Sequence, residues 1–177
     1  MAVGLSFYPM KKQKTYVITL SQVFPVTHIR KGEPTGFKDK FLAAIKQVEG
    51  EWLKLHTIRA NYELWKKRFD EIAAGKACLA IRQWTGRPYK SKQVELARLT
   101  REDGIGLQEL YFPSNCLRYA RVDTKTHFFT IDTEYEECHF KTLAYNDGLS
   151  FEDWHEWFKK YNLSKPLAII HFTSFRY

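Results

Sequence analysis

Three side chains able to do chemistry fall within six residues, from Lys54 to Arg59, with Thr57 between them. An ammonium, a hydroxyl and a guanidinium together suit an anion, a carbonyl oxygen or the edge of a nucleobase. An extended segment from Thr57 to Arg59 places both residues on the same face of a strand, and a turn before it brings Lys54 alongside. The spacing therefore predicts that all three side chains line one cleft. Ordinary solvated charges beside a loop are the alternative.

A second stretch, residues 84–92, mixes aromatic rings with cations directly after a predicted strand. Bases stack on rings and cations bind phosphates in surfaces for single-stranded nucleic acid, so Trp84 and Tyr89 are candidate stacking residues. A β-turn with one aromatic residue anchored in the core fits the same pattern. The cations that we expect to face phosphates are Arg82, Arg87, Lys90 and Lys92.

Asp147 is a third candidate, within the turn Asn146 to Ser150. An Asp-Gly pair often satisfies turn geometry locally, so a purely structural role is one interpretation. A carboxylate that faces the cleft of Lys54 and Thr57 is the other.

The hydrophobic pattern predicts the elements that must position these residues. Strands are expected at 16–24, 78–84, 94–99, 105–112, 125–132 and 166–175. Helices are expected at 37–48, at 62–74 behind an Asn61 cap, and after Ser150. Trp154 and Trp157 are assigned to the core, whereas Trp52 and Trp65 either wall the cleft or pack in the core. Five to six mostly antiparallel strands with about three helices predict one α+β domain, 1–177, with its core at about 16–175.

The three stretches together resemble the ASCH branch of the PUA-like superfamily. Lys54-x-x-Thr57-x-Arg59 is similar to the signature of ASCH proteins, including the small bacterial acetylcytidine amidohydrolases. The turn at residues 146–150, followed by an aromatic helix and an apolar strand, resembles the C-terminal part of the family. The stretch from Trp84 to Lys92 is similar to ASCH proteins of phages and mobile elements.

This resemblance implies a small PUA-like β-barrel whose cleft accepts RNA or a modified nucleoside. In the amidohydrolase members, the motif threonine is the nucleophile and the motif lysine activates it, which assigns these roles to Thr57 and Lys54. Asp147 aligns with the glutamate that serves those enzymes as acid and base. Because aspartate is one methylene shorter, we expect a module that binds RNA or a modified nucleotide. An amidohydrolase that acts on an acylated cytidine or a related small amide is the first alternative.

The charge of the chain narrows the range of expected binding partners. The net charge is +8, and residues 1–100 carry 19 Lys and Arg against 8 Asp and Glu. Such asymmetry suggests a surface for a polyanion, although a solubilising surface gives the same count. RNA, single-stranded nucleic acid or a modified nucleoside is the expected partner. A protein-interaction module of a phage or mobile element, with Trp84 and Tyr89 as the contact, is the remaining alternative.

The sequence gives little support for a membrane protein, a secreted protein or a metalloprotein. No run of eighteen apolar residues is present, and residues 1–10 lack the charged leader of a secretory signal, so we expect a cytoplasmic protein without membrane contact. Three distant cysteines, Cys78, Cys116 and Cys138, predict neither a disulfide framework nor a zinc site. His127, His139 and His155 show no ligand spacing with His56 or Cys138. We therefore expect no metal and no cofactor.

Overall fold

The computed structural model describes residues 13–115, 117, 119–123, 127–130 and 140–177. The expectations for residues 1–10, Cys116, Cys138 and His139 lie outside these ranges. Within them the chain is an α+β fold, as predicted. No helix in the described ranges is both long and apolar enough to cross a membrane.

The strands and helices alternate irregularly along the chain. The strands are β1 (Lys14–Leu20), β2 (His56–Arg59), β3 (Ala77–Trp84), β4 (Gln93–Leu99), β5 (Gly106–Tyr111), β6 (Tyr119–Val122), β7 (His127–Thr130) and β8 (Leu167–His171). The helices are α1 (Phe37–Lys46), α2 (Tyr62–Ala73), α3 (Phe140–Asn146) and α4 (Phe151–Phe158), with one 3-10 turn at Arg101–Asp103.

Two sheets are formed. The first has the order β1-β3-β4, with β1 parallel and β4 antiparallel to β3. The second has the order β2-β8-β5-β6-β7, and every pair in it is antiparallel. A parallel pair needs a long crossover, which here runs through α1, β2 and α2. The crossover thus places β2 at an edge of the second sheet and β1 at an edge of the first.

The central strands explain where the core lies. All five residues of β8 are buried, as are the first five residues of β3, so both strands are covered on both faces. Ser150 caps α4 by accepting a hydrogen bond from the Asp153 amide at 3.1 Å, and Trp154 and Phe158 lie on the buried face of that helix. Cross-sheet packing of these apolar faces holds the two edge strands, β1 and β2, in place.

The structure also corrects the predicted count of elements. It contains eight strands and four α-helices in the described ranges, against five to six strands and about three helices expected. The elements missing from the expected ranges are β2 and β6, which have four residues each, and α3, which has seven. Elements this short carry too few residues for a clear period. The described strands divide into two sheets that share no strand.

Two buried histidines face each other across β2 and β8. His56 pairs with His171 in the antiparallel register, and neither residue exposes any surface. His56 Nε2 bonds the Tyr177 hydroxyl at 2.8 Å, whereas both ring nitrogens of His171 are buried without a partner among the described residues. Burial lowers the pKa of His171 to about 3 and that of His56 well below its usual 6.5. Both imidazoles are therefore neutral in the folded protein at pH 7.

We predict that acid destabilises the protein through these two histidines. The unfolded chain protonates them near pH 6.5 and the folded chain does not, so stability is full above that pH and falls as the pH drops toward 3. Each histidine adds a slope of up to about 1.4 kcal/mol per pH unit, measured by urea unfolding.

The matched comparison uses His171→Leu and His155→Gln. His155 is exposed on α4 and its loss leaves the slope unchanged, whereas His171→Leu flattens it. A slope between pH 4 and 6 that is equal in wild type and His171→Leu contradicts the assignment.

Candidate functional site

A buried ion pair joins the segment before β2 to the turn after α3. Lys54 and Asp147 are 1% and 3% exposed, and Lys54 Nζ lies 2.5 Å from Asp147 Oδ1. The same ammonium donates to the main-chain oxygen of Asp147 and lies 4.1 Å from the centre of the Phe37 ring. Two acceptor oxygens and an aromatic face thus replace the water that Lys54 loses on burial.

The turn after α3 is shaped to receive this ammonium. Gly148 has a φ of +81°, in the left-handed region that glycine adopts readily, and a Cβ built there would lie 3.3 Å from Lys54 Cβ. The Gly148 carbonyl accepts a hydrogen bond from Lys40 Nζ at 2.8 Å. Lys40 also lies over the ring of Trp52 at 3.4 Å, and Trp52 stacks on Tyr145. The turn is therefore held from both sides by lysines.

Strand β2 brings Thr57 and Arg59 to the same side. Thr57 is 5% exposed and its hydroxyl makes no hydrogen bond with any described residue. Arg59 is partly buried and donates from Nη2 to the Thr19 carbonyl of β1 at 2.9 Å. The guanidinium consequently bridges the edges of the two sheets.

A deep cavity of about 40 Å³ lies in the gap that Arg59 bridges. Its lining comes from β1, α1, β2, the α3–α4 turn and α4. The lining residues are Thr19, Leu20, Ser21, Phe37, Lys54, Thr57, Ile58, Arg59, Asp147, Leu149, Trp157 and Phe158. The volume exceeds what one water occupies, so it admits a small polar group but not a whole ring.

A wider cleft of about 400 Å³ lies beside the deep cavity, and the two share Thr19, Ser21, Arg59 and Trp157. Its volume falls in the range of small-ligand sites. Four of its thirteen lining residues are aromatic; the lining is Thr19, Ser21, Gln22, Val23, Pro25, Thr27, Arg59, Trp84, Gly86, Pro88, Tyr89, Trp157 and Tyr161. A ligand in the cleft therefore reaches the deep cavity past Arg59.

One wall of the wide cleft is the loop between β1 and α1, and it is anchored on α4. Arg30 Nη1 lies 2.6 Å from Asp153 Oδ2, and the buried His28 ring bonds the Asp153 carbonyl at 3.0 Å. Asp153 thus fixes this loop relative to the helix that carries Trp157. The loop also packs on Trp157, whose ring centre lies 5.8 Å from that of Phe24 and 6.0 Å from that of His28.

The other wall is the β3–β4 loop, which presents Tyr89. Ser91 holds the loop closed, accepting from the Gly86 amide at 3.1 Å and donating to the Arg87 carbonyl at 2.9 Å. Tyr89 has a φ of +62°, strained for a side chain of its size, and its ring is 90% exposed at 5.3 Å from the ring of Trp84. Because the ring of Tyr89 contacts that of Trp84 alone among the described residues, packing accounts for little of this strained conformation.

The electrostatics of the deep cavity follow from burial. Burial lowers the pKa of Lys54 and raises the pKa of Asp147, while the attraction between the two groups acts in the opposite direction on each. Burial also lowers the pKa of Lys40, to about 8. The Lys54–Asp147 pair leaves Arg59 as the uncompensated charge among the described lining residues.

The structure places most of the predicted site residues at these two cavities. Lys54, Thr57, Arg59 and Asp147 line the deep cavity, and Arg59, Trp84 and Tyr89 line the wide cleft. Arg87, Lys90 and Lys92 are exposed on the β3–β4 loop and make no ion pair with a described residue. Arg82, in contrast, pairs with Glu95 at 3.1 Å and does not line either cavity.

Sequence reasoning assigned Trp157 to the core, and the residue does pack against it, but only in part. Trp157 is partly buried and lines both cavities, whereas Trp154 and Trp65 are buried in the core. Trp52 packs on Lys40 and away from the lining. Thr19, Ser21 and Tyr161 were not singled out, because only tertiary packing brings the end of β1 and the segment after α4 beside β2, which belongs to the other sheet. The aromatic spacing of α4 offered a signal for Trp157, since two tryptophans three residues apart need not both be fully covered.

Comparison with protein-family models, curated proteins and solved structures finds no match. The ranges that the structure describes contain no group of three His, Cys, Asp or Glu side chains able to hold a metal ion.

We predict that Gly148→Ala destabilises the protein more than Gly50→Ala does. Both glycines have a positive φ, so each substitution costs about 1 kcal/mol in backbone strain. A Cβ at position 50 meets nothing within 4 Å, whereas one at position 148 presses on the Lys54 side chain. The additional cost at position 148 is about 1–3 kcal/mol in the free energy of urea unfolding. Equal losses would show that the Lys54 contact is unimportant.

We predict that Asp147→Asn costs about 3 kcal/mol of stability, because it leaves the buried Lys54 ammonium without a counter-charge. The double variant Lys54→Met/Asp147→Leu recovers more than half of that loss, since no buried charge remains. Urea unfolding of the two variants and wild type measures both quantities. A double variant less stable than Asp147→Asn contradicts this description of the pair.

Proposed function

We propose that this protein binds RNA or a modified nucleotide, with the base in the wide cleft and a polar group of its edge in the deep cavity. The observation that carries the proposal is the adjoining pair of cavities, one aromatic and one polar, which share Arg59 and Trp157. The two volumes, about 400 and 40 Å³, fit a planar ring and a small substituent respectively.

The aromatic lining supports a flat ligand. Trp84, Tyr89, Trp157 and Tyr161 all line the wide cleft. Stacking of one base on such a ring is worth about 1–3 kcal/mol and does not depend on which base is present. The strained backbone and high exposure of Tyr89 support a role in binding, since its ring contact among the described residues is with Trp84 of the same cleft.

The deep cavity supplies the groups that read a base edge. Thr57 offers a hydroxyl that can donate or accept, and Asp147 and Lys54 add an acceptor and a donor. Because Lys54 and Asp147 neutralise each other, a neutral group such as an amide or carbonyl meets no uncompensated charge from the pair. Arg59, which lines both cavities, can donate a hydrogen bond to a carbonyl oxygen of the ligand.

Charge on the β3–β4 loop supports a phosphate-bearing ligand. Arg87, Lys90 and Lys92 project from the loop that forms one wall of the cleft. Cations next to stacked bases are the usual arrangement for single-stranded nucleic acid. The proposal extends to the fold: the order of the three motifs along the chain supports an ASCH domain of the PUA-like superfamily.

A second candidate is an amidohydrolase acting on an acylated cytidine or a related small amide. The favouring observation is the Thr57 hydroxyl, unpartnered among described residues, in the same cavity as Lys54 and Asp147. Against it, a lysine activates a hydroxyl only through a free lone pair, and Lys54 donates to Asp147 twice. Binding without hydrolysis is therefore the preferred function.

We predict that the affinity for a labelled single-stranded RNA 12-mer falls steeply with salt, because phosphate contacts release counterions. In Lys90→Gln/Lys92→Gln, the slope of log K against log salt decreases in magnitude by about 1.4, or 0.7 per lost contact. Fluorescence anisotropy between 50 and about 300 mM salt measures the slope.

The matched control, Lys66→Gln/Lys67→Gln, removes two charges from α2, which does not line either cavity. Its slope is expected to equal that of wild type. An RNA affinity that does not depend on salt contradicts a phosphate-binding β3–β4 loop. So does an equal change of the salt slope in the two double variants. Binding of a protein partner that survives nuclease treatment, with no RNA affinity, would favour the protein-interaction alternative.

For the second candidate, we predict no release of cytidine from N4-acetylcytidine, because Lys54 has no free lone pair in this arrangement. Chromatographic detection of cytidine over a day measures turnover, with buffer alone as the reference. Turnover lost in both Thr57→Val and Lys54→Met would establish hydrolysis and displace the binding proposal.

A further inference from the structure

The last residue, Tyr177, joins two segments that carry the deep cavity. Its hydroxyl lies 2.8 Å from His56 Nε2 and accepts a hydrogen bond from Asn146 Nδ2 at 3.0 Å. His56 directly precedes Thr57, and Asn146 directly precedes Asp147. A single hydroxyl therefore contacts the neighbours of two cavity residues from outside the cavity.

The Tyr177 hydroxyl fixes the distance between the two segments that carry Lys54 and Asp147. Lys54 belongs to the segment that enters β2, and Asp147 belongs to the turn that ends α3. The Leu55 amide also donates to the Asn146 carbonyl at 2.8 Å, so two hydrogen-bonded links flank the Lys54–Asp147 pair. A short ion pair between buried groups tolerates little displacement, because its attraction must offset a large desolvation cost.

Tyr177 is itself held firmly. Its amide donates to Gln108 Oε1 at 2.9 Å, and Gln108 Nε2 donates back to the Tyr177 carbonyl at 3.2 Å. Its ring packs edge-on against His56 and Phe175. The preceding Arg176 donates to the Gly104 carbonyl at 2.8 Å. Since Gln108 lies on β5, the middle strand of the second sheet, Tyr177 ties both segments to the centre of that sheet.

We propose that Tyr177 is a positioning residue for the deep cavity: its hydroxyl holds the Thr57 strand and the Asp147 turn at the separation that forms the Lys54–Asp147 pair. Tyr177 does not line the cavity and does not contact the ligand. It acts through His56 and Asn146.

The test compares two hydroxyl deletions. Tyr177→Phe removes the shared hydroxyl and keeps the ring. Tyr16→Phe removes a hydroxyl that bonds Glu71 at 2.7 Å and does not line either cavity. Each variant loses side-chain hydrogen bonding, so urea unfolding serves to match them for general stability.

The deciding readout is the NMR signal of the Lys54 ammonium, whose hydrogens exchange slowly while the pair is closed. We expect its exchange to accelerate about fivefold in Tyr177→Phe and to stay unchanged in Tyr16→Phe. Equal exchange rates in Tyr177→Phe and wild type would overturn the proposal. Should Tyr177→Phe fail to fold, Asn146→Ala breaks the same link from the other side and is judged by the same rates.

A second readout rests on the proposed function. The affinity for the RNA 12-mer is expected to fall about fivefold in Tyr177→Phe and not in Tyr16→Phe. If wild type fails to bind the RNA, the proposed function fails, and the Lys54 exchange rates still decide the role of Tyr177.

Discussion

The closed Lys54–Asp147 ion pair is the interaction on which the site depends. Two charges taken out of water are stable only when each finds partners, and here the ammonium meets two oxygens of Asp147 and the face of Phe37. The pair joins elements far apart in the chain, since 93 residues separate its members. An apolar pair of similar volume would hold these elements together as well. Stability alone therefore does not require a charged pair at this position, which is in keeping with the ligand-binding role proposed for the cavity.

The arrangement around the pair separates two tasks. The aromatic rings of the wide cleft offer a stacking surface that does not depend on the identity of a flat ligand. The deep cavity offers hydrogen-bonding groups in fixed positions. Arg59 stands where the two volumes meet and also ties the edge of β2 to Thr19 of β1. A change in the spacing of the two sheets would consequently change the passage between the two cavities. The anchoring of the β1–α1 loop on Asp153 restricts such a change.

The sequence predicted much of this arrangement, for identifiable reasons. Alternation places Thr57 and Arg59 on one face of any strand, and the capped helix after Ser150 follows from local hydrogen-bonding rules. The pairing of Lys54 with Asp147 depended on a family resemblance, because local rules do not reach across 93 residues. The position of Trp157 depended on how α4 meets the end of β1, which tertiary packing decides. Short elements such as α3 and β6 escaped for lack of a repeating pattern.

The central claim is that the two adjoining cavities hold one ligand, and chemical-shift mapping with cytidine 5′-monophosphate tests it most directly. The indole signals of Trp84 and Trp157 are expected to move on titration, together with the side-chain methyl of Thr57. The signals of Trp65 and Trp154, which are buried in the core, are expected to remain in place. Chemical-shift changes confined to residues outside both cavities would contradict this claim. So would the absence of any change, both with millimolar nucleotide and in a parallel titration with the RNA 12-mer.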